Sequence, residues 1–232
     1  MAGTVNLTQS TDFKIKTISI TTKFGTVDIR NIFDELNIYD SILQPCMSGN
    51  ILIRDSIGLS SSLLLDGTEI LLIDVEKGGG QFGFKRAFRI YKQSNRTNVN
   101  QTSERYMLHF VSDEYIFSSQ QIINQYYEET YSNVTANILI NYLDVDYTNL
   151  NGYFDKSYGI AKFIMPNLKP LEAINFCSKR ALDINGKPTF LFFENNDGYN
   201  FCTLNTIMSK EPLFDVNFEV KNATNGNLKD EL

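Results

Sequence analysis

The sequence predicts an α+β fold that is mostly antiparallel β. Three observations carry this. Apolar and polar residues alternate in several short runs before residue 113. Glycine- or Asp-marked turns separate those runs. A helix-spaced stripe and an Asp-Gly hairpin signal follow later in the chain. With 232 residues, 42% of them hydrophobic and 12% aromatic, the chain is long enough to bury a substantial core. Seventeen Phe and twelve Tyr without a Trp fit a strand-rich composition.

Taken in order, Lys14–Thr22 alternates Ile with polar residues and predicts a half-buried strand. Thr26–Ile32 predicts a second strand. Ser48–Asp55 sets Ile51 and Ile53 against Asn50, Leu52 and Arg54 and predicts a third. Gly58–Leu65 predicts one or two helical turns, and Thr68–Glu76 a strand buried on both faces. Gly78-Gly-Gly80 predicts a loop tip. Phe84–Tyr91 and Glu104–Ser112 predict a strand pair, with the polar stretch 93–103 as its loop. In the return strand Tyr106, Leu108 and Phe110 share one face, and Met107, His109 and Val111 the other.

Beyond residue 113, Asp113–Gln121 starts a helix. Asn133–Leu143 predicts another, with Ser132 in the capping position. Asp144–Gly159 reads as loop, and Ile160–Met165 as a short strand halted by Pro166. Pro170–Ile184 is the clearest helix: Leu171, Ile174, Cys177, Ala181 and Leu182 form its stripe, Pro170 opens it and Gly186 follows it. Thr189–Glu194 and Tyr199–Leu204 flank a turn placed at Asp197-Gly198. Leu213–Val220 predicts a last strand. The expected division is residues 1–113, residues 114–212, and a further β segment or frayed tail over 213–232.

Little here implies catalysis. The net charge of −6 argues against a nucleic-acid grip, which needs a basic face. His109 is the only histidine, placed mid-strand, and reads as structural. Cys46, Cys177 and Cys202 lack paired spacing and read as small buried fillers in a reducing compartment. One His and three scattered Cys do not make a structural zinc site. Glu128-Glu129 and Asp144-Val-Asp146 are the densest carboxylates. Sequence neighbours do not face each other across a cleft, so both read as solvated. Gly78–Gly80 lacks the Lys-Ser/Thr of a phosphate loop. Lys85-Arg86 is a two-residue basic spot. Tyr126, Tyr127 and Tyr131 read as an interface or core edge, with sugar stacking the sharper alternative. No run matches a membrane span, and the first residues lack the basic and apolar regions of a signal peptide. The terminal Lys-Asp-Glu-Leu and the Asn-X-Thr sites at Asn133 and Asn222 are therefore expected to be coincidental.

Three segments taken together carry a resemblance. The first is Tyr39-Asp-Ser-Ile with Ser48-Gly-Asn-Ile-Leu-Ile-Arg-Asp-Ser56 and Leu63-Leu-Leu-Asp-Gly-Thr-Glu-Ile70. The second is Phe88-Arg-Ile-Tyr-Lys92 with Tyr106-Met-Leu-His-Phe-Val-Ser112. The third is Met165-Pro-Asn-Leu-Lys-Pro-Leu-Glu-Ala-Ile174 with Lys187–Glu194 and Gly198–Leu204. In order and separation, over residues 10–212, they resemble the central hub proteins of contractile-tailed bacteriophage baseplates, which are related to the spike hubs of type VI secretion. The resemblance implies a tube-like β-barrel domain followed by a smaller α+β domain. It implies a homotrimeric ring that adapts the tail tube to the central spike, contacts other baseplate proteins and passes DNA in transit. It implies a non-enzymatic virion protein assembled in the host cytoplasm, with no catalytic, cofactor or metal residues and no direct membrane insertion. Family members usually continue into a second tube-like domain, which this sequence does not show. A tail-associated hydrolase and a carbohydrate-binding module are the alternatives. A DNA channel is expected to be lined by carboxylates or neutral groups, drawn from Glu69–Glu76 and Glu104–Asp113.

Overall fold

The computed structural model describes residues 13–62, 66–77, 82–100, 102–146 and 153–211. The α+β, mostly antiparallel prediction is correct. Seven strands form one sheet: β1 (Phe13–Thr22), β2 (Gly25–Asp28), β3 (Phe33–Tyr39), β4 (Ser48–Asp55), β5 (Ile70–Lys77), β6 (Phe82–Asn98) and β7 (Glu104–Val111). Their order is β2-β1-β5-β6-β7-β4-β3, antiparallel throughout. β2 and β3 are opposite edges of this sheet, yet only Ile29–Ile32 connects them. Five Cα steps reach at most about 18 Å. The sheet must therefore curl until its edges approach, which gives an open half-barrel.

Period-2 alternation decides what fills it. Ile18, Ile20, Ile51, Ile53, Leu71, Ile73, Phe88, Ile90, Tyr106, Leu108 and Phe110 point inward and are buried. Ile29 from the β2–β3 link and Leu59 from α1 (Leu59–Ser62) close the ends of this core. Register in β4 depends on Gly49. A Cβ there would collide with the Asn37 carbonyl oxygen and the Phe110 ring, so only glycine lets β3 and β7 close on both sides. Asp55 ends β4 buried at 3% exposure. Its carboxylate accepts the backbone N–H groups of Ile57, Leu59 and Ser60 at 3.1, 2.9 and 2.8 Å, and so caps α1.

A second core lies beside the first. It is built from α2 (Asp113–Ser119), β8 (Tyr126–Glu129), α3 (Tyr131–Leu143), β9 (Ala161–Ile164), α4 (Pro170–Ser178), β10 (Phe190–Asn195), β11 (Gly198–Thr203) and α5 (Leu204–Met208). β8 pairs with β9, and β10 with β11. Val134, Ile138 and Leu139 of α3 meet Ala173, Ile174 and Cys177 of α4 in a cluster that includes Phe190, Phe192, Tyr199 and Phe201.

Several expectations need correction. The strand expected over Thr26–Ile32 stops at Asp28, because Ile29–Ile32 turns to cross the barrel mouth. β3 was not foreseen: a bulge between Phe33 and Glu35 breaks its alternation. β5 is fully buried on one face only, with Leu72 and Asp74 half-buried on the other. Residues 93–98 continue β6 rather than forming a loop. β7 holds them in register, and a bulge at Asn95, whose φ is 55°, absorbs the irregularity. They are polar because both faces of this hairpin arm meet solvent. The cap of α3 is Thr130, whose hydroxyl accepts the Asn133 N–H; Ser132 is buried against Ser157 instead. α4 ends at Ser178, not Ile184. Asp183 draws the chain into its own turn by accepting the N–H groups of Asn185 and Lys187, both at 2.8 Å. The β10–β11 loop is Asn196-Asp197, and Gly198 opens β11 at φ 127°. Gly78–Gly80 and Leu213–Val220 lie outside the described residues.

Candidate functional site

The two cores meet across a polar junction, and its keystone is Glu194. This residue is 3% exposed. Its Oε2 accepts the Met47 backbone N–H at 2.8 Å and the Ser112 hydroxyl at 2.5 Å. Its Oε1 lies 3.6 Å from Arg86 Nη1, and Arg86 also donates to the Asn195 carbonyl at 2.6 Å. Met47 leads into β4, Ser112 follows β7, Arg86 is on β6 and Glu194 on β10. One carboxylate therefore ties three barrel segments to the β10–β11 hairpin. Beside it, the Tyr199 hydroxyl of β11 is 4.0 Å from Cys46 Sγ. A second strap is the two-pronged pair of Arg89 with Asp113, both contacts at 2.8 Å.

Burial raises the proton affinity of Glu194 and of Glu114 on α2. For Glu194, desolvation outweighs the Ser112 and Met47 hydrogen bonds, Glu114 adds repulsion and Arg86 opposes it. For Glu114, desolvation again leads, with Tyr199 and Arg86 opposing and Asp113 adding. Tyr199 and Cys46 are pushed well above their ordinary values by burial first, so both stay protonated.

The sequence reading missed both principal residues. Lys85-Arg86 looked like a minor basic spot, yet Lys85 is exposed while Arg86 turns into the junction. A signal existed. Arg86 falls in the phase of Phe84 and Phe88, and Glu194 in the phase of Phe190 and Phe192. A charge in the apolar phase of a strand, matched by an opposite charge in the apolar phase of another, marks a buried pair.

The residues singled out in the sequence scatter. His109 is half-buried, its Nε2 2.7 Å from Ser94 Oγ and its ring beside Tyr91. Among the described residues no carboxylate hydrogen-bonds that ring, so it lacks the orienting partner of a triad. Cys46, Cys177 and Cys202 are buried free thiols; burial pushes Cys177 to about 12 and Cys202 to about 11, which makes them inert. Glu128 pairs with Lys162 at 2.6 Å and Glu129 accepts from Asn133, both exposed. Asp144 and Asp146 are exposed. Tyr127 and Tyr131 pack on Phe163 while Tyr126 points to solvent, so the three do not make one stacking platform. Among the described residues no cluster of three or more potential metal ligands occurs, and no helix is long and apolar enough to cross a membrane.

Four residues of the two candidate channel segments are removed. Glu69 is 1% exposed and caps the Asp66 and Gly67 N–H groups, and Tyr106, Leu108 and Phe110 fill the barrel. The outer sheet face mixes charges: Glu76 pairs with Lys16, and Asp34 with Arg54 and Arg105, while Glu104 at the barrel end pairs with Arg96.

Solved structures are similar in fold to this chain. The chain matches the 43 kDa tail protein of prophage MuSo2 from Shewanella oneidensis with a TM-score of 0.50 and 8% identity, over 80% of this chain and 54% of that one. A tail protein from Neisseria meningitidis MC58 gives 0.48 at 12% identity, over 80% and 49%. The E. coli c3393 protein, described as a type VI secretion component with structural similarity to T4 tail proteins gp27 and gp5, gives 0.48 at 11%, over 82% and 48%. The chain thus spans about half the length of these structures. No protein-family model and no curated protein sequence matches it.

Proposed function

We propose that the chain is a structural component of a contractile phage-type tail, acting as the baseplate hub between tail tube and central spike. The single observation behind this reading is the half-barrel fold shared with the Shewanella tail protein. In the proposal, residues 1–113 form the tube-like domain and residues 114–212 a smaller domain that buttresses it. Three copies form a ring within the virion baseplate, assembled in the host cytoplasm, which contacts the spike, the tube protein and other baseplate proteins. DNA passes through the ring without being held. No catalytic role is assigned: among the described residues no carboxylate hydrogen-bonds the His109 ring, and the Glu194 carboxylate is occupied in joining the two cores.

Geometry constrains the channel. The inner face of the sheet is filled by its own core, so a channel made by several copies would be lined by outer-face residues. Light scattering of the purified chain tests the assembly. The expected mass is three times the 26.5 kDa of one chain, with ring-shaped particles by electron microscopy. A monomer throughout the micromolar range refutes the hub.

A further inference from the structure

We infer that residues 4–7 fold back on β1 as a further strand, and that Val5 and Leu7 seal the open seam of the half-barrel. The seam lies between β1 and β3. It holds a cavity of about 470 Å³ lined by Phe13, Ile15, Phe33, Leu36, Ile38 and Phe84. None of these is fully buried, and Phe13 is 55% exposed, whereas Ile18 and Ile20 further along β1 are sealed from solvent. The outer edge of β1 is covered in steps. β2 pairs with Ser19–Thr22. The Ile29 N–H donates to the Ile18 carbonyl at 2.9 Å, and Arg30 Nη1 to the Lys16 carbonyl at 2.9 Å. Among the described residues nothing pairs with Phe13–Ile15 on that side, and β3 pairs with β4 alone. An apolar opening between two unpaired strand edges is a template for one more strand.

The chain supplies that strand. Residues 1–12 lie outside the described residues and run directly into Phe13. Thr4-Val5-Asn6-Leu7-Thr8 alternates polar and apolar residues. Thr8-Gln-Ser-Thr-Asp12 is polar throughout and has the length of a five-residue hairpin loop. That loop sets Leu7 opposite Phe13, Asn6 opposite Lys14 and Val5 opposite Ile15. Residues directly opposite share a face. Leu7 and Val5 therefore enter the cavity beside Phe13 and Ile15, and Asn6 joins the exposed Lys14 outside. A slip of one residue would put Asn6 inside and both apolar residues in water. The Arg30 contact at Lys16 marks where the added strand stops, opposite Thr4. Closing so short a loop costs little entropy, whereas Leu213–Val220, the other strand-like segment, is far from β1 in sequence. The hairpin is a property of one chain and does not depend on the hub reading.

The test exploits the absence of Trp, which lets one introduced indole report on its own surroundings. In the full chain, Leu7→Trp is expected to emit to the blue of the same variant in denaturant and to resist quenching by acrylamide. Asn6→Trp, one residue away in the outward phase, is expected to emit and quench like its denatured form. Equal behaviour at the two positions overturns the inference. So does a shielded Leu7→Trp that becomes exposed on dilution, which assigns the strand to a second copy. So does a shielded Val216→Trp beside an exposed Leu7→Trp, which gives the seam to Leu213–Val220. The parent chain provides a reading that survives poor folding of any variant. Corrected for intrinsic exchange, at least one amide of residues 4–7 is expected to exchange at least about tenfold more slowly than those of residues 8–12. Equal exchange in the two segments refutes the hairpin.

Discussion

The half-barrel and the helical layer solve the same burial problem with different chemistry. The barrel core is largely aliphatic: Ile18, Ile20, Ile51, Ile53, Leu71 and Ile73 stand at alternate positions of paired strands. The second core adds a larger share of rings to the aliphatic residues of α3 and α4. Tyr127, Tyr131, Phe163 and Phe176 form one chain of rings, and Phe154, Phe190 and Phe201 another. β-Branched residues on a pleated sheet are specified by register, where a one-residue slip turns every side chain to the wrong face. Rings bury more area each and pack in several orientations, which suits short elements meeting at irregular angles. The first region should thus be intolerant at single backbone positions, and the second more forgiving.

The strongest way to break that contrast is Gly49→Ala. Its Cβ has to displace the Asn37 carbonyl or the Phe110 ring, and neither is the loose end of a flexible chain. The expected loss is about 3 kcal/mol or more, at the upper end for overpacking, with failure to fold as the extreme outcome. Chemical denaturation measures it. A loss under about 1 kcal/mol would show that the β3–β4–β7 register has slack.

Asp55→Ala comes next. The carboxylate serves Ile57, Leu59 and Ser60, and replacing it removes that shared acceptor from the barrel end. An expected cost is about 2–3 kcal/mol. Burial pushes the Asp55 value up, but the donors from Ser60, Leu59, Ile57 and Gly58 together outweigh it and hold the group below the ordinary range. Its contribution is therefore present above the ordinary carboxylate value, about 4, and fades as pH falls through the lowered folded value. The deficit of the variant should shrink in acid. A deficit independent of pH between 7 and 3 would place the effect in packing and not in the carboxylate.

These two residues also show what the sequence discloses. Ser48–Asp55 is legible to the residue, because a strand buried on one face writes its period directly into the chain. β3 is not, because a bulge interrupts the period, and residues 93–98 are not, because a strand exposed on both faces looks like a loop. In the helical layer, α4 starts where Pro170 says, but Asp183 ends it early through side-chain hydrogen bonds that no periodicity records. The junction was the least legible part. Glu194 and Arg86 are 108 residues apart, and only the fold reveals that they are partners.

Gly198→Val sharpens the comparison from the second region. Gly198 sits at φ 127°, where a side chain is strained, and a β-branched one most of all. The expected cost is about 1–3 kcal/mol, less than at Gly49, because the Asn196-Asp197 loop beside it is exposed and has room to shift. A loss exceeding that of Gly49→Ala would reverse the ranking of the two regions.

The smallest effect is expected at His109, which the sequence makes the first catalytic suspect. Its ring lies on the outer face of β7, opposite Asn50 of β4, and bonds Ser94 through one nitrogen. Glutamine is a similar length and keeps one group able to meet that hydroxyl. His109→Gln should therefore change stability by under about 0.5 kcal/mol at pH 7 and leave assembly mass unchanged. The pH dependence separates this from a functional role. Burial first, then the Lys92 charge, lowers the His109 value in the folded chain. A histidine held neutral by folding costs stability as pH falls below its ordinary 6.5, since the unfolded chain takes the proton more readily. The variant lacks that cost, so it should equal the parent at pH 7.5 and become slightly more stable than the parent near pH 5. Thermal melts at the two pH values check the sign. Reduced stability at both, or loss of assembly with an intact fold, would make His109 a working residue of the outer sheet face.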